Sequence, residues 1–182
     1  QPCCQSIKEF IYEAINRGES KSFELNEKSP AFKFNSGTSY FKAFVMPNYT
    51  HPYKISIHSY MQGMYIEYAH IFIPRIIFLN EQYEVTRVTE TSILKFRKPA
   101  LSETSGLRFK LEGHINISNK NSDEKYFIVM TTEELLKGKT VFPIMQAVPI
   151  LIVPYPIIPV PIGEKDTLDP NSPFGKIKIE LN

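Results

Sequence analysis

A chain of 182 residues is long enough to bury most of its apolar surface in one core. Its formal net charge of +2, from 21 basic and 19 acidic residues, supplies no overall field for nucleic acid or an anionic membrane. The composition, 42% hydrophobic and 22% charged with 13 Phe, 10 Tyr and no Trp, is that of a globular chain weighted toward strand formers.

The only cysteines are Cys3 and Cys4, which excludes a disulfide framework between distant parts of the fold. Ile7, Phe10, Ile11, Ala14 and Ile15 recur at helical spacing, with Ser6 as a start and Gly18 as a stop, and predict a short amphipathic helix lying on a sheet. The period then changes to two. Phe23 and Leu25, Phe32 and Phe34, Phe41 to Val45, and Tyr53 to Ile57 alternate with polar partners, and turn residues such as Asn35-Ser36-Gly37 and Pro47-Asn48 separate them. The nearly continuous apolar run Ile71 to Leu79 predicts a central strand with an irregularity at Pro74.

Further on, Leu107, Phe109 and Leu111 alternate up to Gly113, with Ile115 and Ile117 beyond it. The polar segment Asn119 to Lys125 leads into Tyr126 to Met130, and the pair reads as a hairpin. Thr132 as a hydroxyl cap, Glu133 and Glu134 behind it and Gly138 at the end predict one or two helical turns. Ile177, Ile179 and Leu181 form a closing strand. The expected architecture is all-β: an immunoglobulin- or jelly-roll-like β-sandwich of antiparallel sheets, with a short N-terminal helix and one short helix after the strand at 125–131. A single domain is expected over 1–182, with 1–18 as tail plus helix.

The stretch Ala147 to Gly163 carries no charge and five prolines. Those prolines exclude a membrane helix, and a Pro-rich apolar loop is expected over 143–170, in extended or polyproline geometry. If exposed, it is a ridge on which a partner docks, with Val153, Tyr155 and Ile157 as contact residues.

Residues for chemistry are few. Asp123, Asp166 and Asp169 fall in expected loops and turns. His51, His58, His70 and His114 lack the spacing with which two imidazoles reach one metal ion, so no metal site is expected. No G-x-S-x-G elbow and no Gly-rich phosphate loop occur among the eight glycines, so no catalytic residue and no cofactor is assigned. A hydrolase would instead require a deep pocket holding a histidine beside an acid. The basic stretch Lys95, Arg97, Lys98, Arg108 and Lys110 reads as a solvated strand face and not as a phosphate track. Among the tyrosines at 49–68, Tyr60, Tyr65 and Tyr68 are the candidate carbohydrate contacts, because a phenol offers an apolar face to a sugar ring and a hydroxyl to its rim.

Four segments taken in order, Ser29 to Pro47, Ile71 to Val88, Lys125 to Thr140 and Pro170 to Leu181, resemble the maltose operon periplasmic protein family. The resemblance spans nearly the whole chain. It implies a secreted protein of the bacterial periplasm associated with maltose and maltodextrin transport; the role expected here is non-enzymatic, with carbohydrate as the ligand or, as the alternative, another envelope protein docked on the Pro-rich segment 147–163. It supplies no catalytic residues. Ile158-Pro159-Val160-Pro161 stands where relatives place acids, which puts in doubt any function that depends on charge there. In an envelope protein, Cys3 or Cys4 is a candidate for lipid attachment, against a vicinally oxidised tail, and Pro2 fits a lipidation signal poorly. Membrane contact is expected through such an anchor alone, and the numbering reads as a mature segment whose targeting part has been removed.

Overall fold

Burial that alternates at every second residue, as a pleated strand imposes, dominates the computed structural model, which describes residues 2–63, 69–97, 109–150 and 158–182. In chain order the elements are β1 (Tyr12–Ala14), β2 (Ser20–Leu25), β3 (Ala31–Phe34), β4 (Gly37–Tyr40), β5 (Lys42–Val45), β6 (Tyr53–Tyr60), β7 (Arg75–Leu79), β8 (Val85–Val88), β9 (Lys95–Arg97), β10 (Lys110–Ile117), β11 (Tyr126–Met130), α1 (Glu133–Leu136), β12 (Lys139–Ile150), β13 (Ile158–Pro170) and β14 (Gly175–Leu181). Sheet I has the order β1-β5-β11-β7-β8 and sheet II the order β2-β14-β6-β10-β9. Neighbours in both are antiparallel except β1, which runs parallel to β5.

The two sheets share one core, as the alternation predicts. Phe44, Ile76, Phe78, Phe127 and Val129 of sheet I meet Leu25, Ile55, Ile57, Ile115, Ile117, Ile177, Ile179 and Leu181 of sheet II. Phe44 and Phe127 stack at 4.9 Å, and Phe23 of β2 reaches Phe44 across the gap between the sheets at 5.6 Å. Each fully buried side chain of this size contributes on the order of 1.5–3 kcal/mol. An ion pair closes one flank: Arg87 of β8 makes two hydrogen bonds, 2.7 and 2.9 Å, to the buried carboxylate of Glu124, and its guanidinium lies 4.2 Å over the Phe78 ring. Gly175 is required by close approach, because a Cβ there would stand 2.5 Å from that of Phe72.

Several local expectations are revised by the tertiary structure. The N-terminal helix is a single 3-10 turn, Ile7–Glu9, capped by the Ser6 hydroxyl. The chain then enters β1, because the edge of β5 offers a hydrogen-bonding partner and period two sorts the apolar residues better than period 3.6. Phe10 and Tyr12 face one cluster and Ile15 the central core, while Ile11, which a helix would bury, is 91% exposed. The run Ile71 to Leu79 is not one strand: Ile71 makes an isolated bridge to Asn171, and β7 starts only after Pro74, which cannot donate to a ladder.

β10 and β11 do not form a hairpin either. β10 runs unbroken through Gly113, β10 and β11 lie in opposite sheets, and Asn119–Asn121 forms a 3-10 turn that carries the chain between them. Each strand has both edges occupied, so neither has an edge left for the other. The helical turn after Thr132 forms as expected, with the Thr132 hydroxyl accepting from the Leu135 amide.

Across 143–170, where a loop is expected, β12 and β13 pair antiparallel from Lys139↔Pro170 to Ile150↔Ile158. Pro149 faces Pro159, and Ala147 faces Pro161 two residues away. Positions two apart share one hydrogen-bonding class, so these prolines occupy the class whose nitrogens point away from the partner strand, and the ladder survives them. Asp166 and Asp169 accordingly occupy strand register positions instead of turns.

Replacing Phe44, which is fully buried against Phe127, by alanine should destabilise the fold by about 4 kcal/mol. Urea unfolding checks this, and a loss below about 1 kcal/mol would show that the shared core does not hold the sheets together.

Candidate functional site

The outward face of sheet II assembles the chain's most concentrated group of titratable side chains. His58 lies in β6, the middle strand, directly opposite Glu112 of β10 and Lys178 of β14. Its side chain is only 8% exposed, with Nδ1 3.4 Å from Glu112 Oε1 and Nε2 3.4 Å from Glu180 Oε2. Neither contact is aligned as a hydrogen bond. Around them, Arg97 of β9 bonds Glu112 at 2.9 Å, Lys178 bonds Glu180 at 2.5 Å, and Ser56 Oγ lies 3.0 Å from His114 Nδ1. His114 Nε2 is 3.8 Å from Glu112 Oε2.

Burial, followed by the nearby Lys110 ammonium, holds the His58 imidazole below its ordinary pKa against the pull of Glu180 and Glu112. A neutral imidazole has a single N–H and can donate to only one of its two carboxylates. Burial also pushes the Glu112 carboxyl up, but the Arg97 hydrogen bond and the two histidines outweigh it and leave the group low. The Lys178 hydrogen bond lowers Glu180.

These residues contain a buried histidine beside acids, one of the features that a hydrolase requires. Ser56 is 2% exposed in a regular strand and pairs with His114, not with His58. The groove described below is lined by residues of sheet I and its cover, and His58 is not among them. Chemically the face is a ladder of polar and charged groups that holds the cross-strand ion pair Arg97–Glu112 and, within β14, the pair Lys178–Glu180. Among the described residues no group of three His, Cys, Asp or Glu side chains could hold a metal ion.

Of the candidate carbohydrate contacts, Tyr60 ends β6 half-buried, with Lys110 and Lys176 as its cross-strand partners, while Tyr65 and Tyr68 lie outside the described residues. Tyr49 packs on the core and Tyr53 belongs to it, with Arg17 4.4 Å over its ring. Burial pushes the Tyr53 phenol up to about 12. A different tyrosine group gathers on sheet I: Tyr83 stacks on Tyr126 at 4.6 Å, and Tyr12 lies 4.8 Å from Tyr126. Tyr83 is the one non-glycine residue with positive φ (64°) among those described, and an Asn80 side chain that accepts from the Gln82 and Glu84 amides shapes its turn.

Of the basic stretch, Arg97 and Lys110 face one another across β9 and β10, while Lys98 and Arg108 lie outside the described residues. The partner contacts Val153, Tyr155 and Ile157 also lie outside them, between β12 and β13. The strands on either side form a ribbon that pairs with neither five-stranded sheet. At its base the Thr140 hydroxyl donates to Asn171 Oδ1 at 2.6 Å, and the Asn171 amide donates to the Leu135 carbonyl at 2.6 Å. Cys3 and Cys4 are joined in a vicinal disulfide, a state in which neither sulfur carries the thioether of a lipid anchor, and Cys4 packs against Ile7 and Phe10 in the cluster outside sheet I.

The fold is a two-sheet β-sandwich with an added two-stranded ribbon. The model of one family, described as maltose operon periplasmic protein precursor (MalM), matches residues 36–146, more than half of the chain, and the chain belongs to that family. No curated protein matches it. The matched range holds β4 to β11, α1 and most of the His58 face, and it ends at Gln146, inside β12.

The His58 environment sets an acid limit on stability. The folded imidazole binds its proton less readily than the unfolded one, so its contribution is complete above about pH 6.5 and is lost as pH falls below that value. Glu13, lowered by hydrogen bonds from Lys42 and Lys21, joins Glu112 and Glu180 in a second loss below about pH 4.5. Urea midpoints measured from about pH 7.5 to 3.5 should decline in these two stages, and His58→Gln should abolish the first stage alone. A wild-type midpoint that stays flat down to about pH 5.5 would refute this assignment.

Proposed function

We propose that this chain is a non-enzymatic accessory protein of the periplasm, associated with carbohydrate transport, that acts by binding a second envelope protein through the β12–β13 ribbon. One observation carries the reading: within the charge-free stretch Ala147 to Gly163, residues 147–150 and 158–163 belong to a two-stranded ribbon that pairs with no other strand among the described residues. A two-stranded ribbon by itself is marginally stable in water, and an apolar one gains most from a protein surface that covers it. The absence of charge suits a neutral, apolar partner face. The family description supports the periplasm and the maltose operon as the setting. A lipid on Cys3 or Cys4 would add a membrane tether where the disulfide is not formed.

The test replaces Val153 and Ile157 together by lysine and places a photo-crosslinking residue at Tyr155 in cells. The unsubstituted protein should give one discrete adduct, the double variant none, and the melting temperatures should agree within about 2 °C. A fall of more than about 8 °C would show that the segment is part of the folded core, and no adduct in either protein would remove the reading.

A second reading, direct contact with carbohydrate, is favoured by the stacked Tyr83 and Tyr126 rings beside Tyr12, and by Tyr60 with Tyr65 and Tyr68 on the expected surface. Calorimetric titration with a maltodextrin series should then give saturable heat, reduced several-fold by Tyr83→Ala. Absence of heat at millimolar oligosaccharide would exclude it.

A further inference from the structure

The outward positions of sheet I are apolar where an ordinary sandwich strand presents polar residues to water: Ile77 and Leu79 on β7, and Ile128 and Met130 on β11. The β3–β4 hairpin, through Phe32 and Phe34, and the N-terminal turn, through Ile7 and Phe10, cover part of this face. The uncovered remainder is a groove of about 660 Å³ between that hairpin and the edge strand β8. Val85 and Val88 on its lip are 57% and 42% exposed. A volume of this size lies within the range of roughly 300–1,000 Å³ occupied by small-ligand sites.

The charges that line the groove have one sign. Lys33 and Arg75 line it, and no acidic residue does. Arg75 donates from Nε to the Thr89 carbonyl at 3.2 Å, and one of its terminal nitrogens is 3.8 Å from Glu90, a carboxylate 75% exposed and outside the lining. Lys33 is exposed. We propose that this groove binds a single-chain amphiphile with an anionic head, an alkyl carboxylate or alkyl phosphate, its chain on Ile77, Ile128 and Met130 and its head at Lys33 and Arg75. The floor of Ile77, Leu79, Ile128 and Met130 favours an alkyl chain over sugar hydroxyls, which would lose hydrogen bonds to water there, while Asn35, Ser36 and Thr132 supply the polar part of the lining. Two cations without a lining acid require a negative head. The proposal is independent of the ribbon and of any sugar contact.

The test uses the full chain labelled at Ile, Val and Met methyl groups and titrated with decanoate, decyl phosphate and neutral decanol, all as monomers. Decanoate or decyl phosphate should shift the methyl signals of Ile77, Ile128, Met130 and Val85 saturably, and the tighter of the two identifies the head. Lys33→Glu, an exposed change that spares the fold, should weaken binding about five-fold, and Val88→Asp, which sets a like charge on the lip, should weaken it further. Three results would each overturn the proposal: no methyl movement with any amphiphile, decanol binding as tightly as decanoate, or the same shifts on raising protein concentration alone. The last would assign the groove to a second copy of the chain.

Discussion

Everything else in this molecule rests on the interleaving of two apolar faces, with Phe44, Phe78 and Phe127 of sheet I against the isoleucines of β6, β10 and β14. Strands from distant parts of the sequence must be adjacent for this core to close. The last strand, β14, therefore lies between β2 and β6, and β11 lies between β5 and β7. With their inner faces committed to the core, the strands can differ only on their outer faces, and the two sheets use that freedom in opposite ways.

Sheet II turns outward a ladder of charges that contains two close ion pairs. Arg97 pairs with Glu112 and Lys178 with Glu180, and the His58 imidazole, held below its ordinary pKa by burial, lies between the two carboxylates. Such a face stabilises register, since a slip of one residue would carry Glu112 into the core and Leu111 out of it. Sheet I turns outward a second apolar surface, which the N-terminal turn and the β3–β4 hairpin cover in part. Tyr12, Tyr83 and Tyr126 continue that surface at one end, with burial and the two neighbouring phenols pushing Tyr12 well above its ordinary pKa. The asymmetry separates a charged outer face from an apolar one that the rest of the chain covers only in part.

Membership of the maltose operon periplasmic protein family covers the sandwich more fully than the ribbon, because the matched residues end at Gln146. Ile158-Pro159-Val160-Pro161, in β13, lies beyond that range.

The local pattern was enough to settle that the chain is a sandwich of strands, because alternation such as Ile177, Ile179, Leu181 has one physical solution, a face buried at every second residue. Thr132 capping α1 was equally legible, since cap and helix lie within a few residues of one another. The partners could not be read that way. Whether Tyr126 to Met130 pairs with the strand before it or crosses to another sheet depends on edges left free elsewhere, and whether Phe10 to Ile15 coils or extends depends on the edge of β5. His58, Glu112 and Glu180 show no spacing in sequence that betrays their meeting, though Ser56-His58 and Glu112-His114 at period two mark both strands as polar on one side. Periodicity is a property of one strand, so the sequence determined which residues share a face. Pairing is a property of two, so only the tertiary structure decided which faces meet.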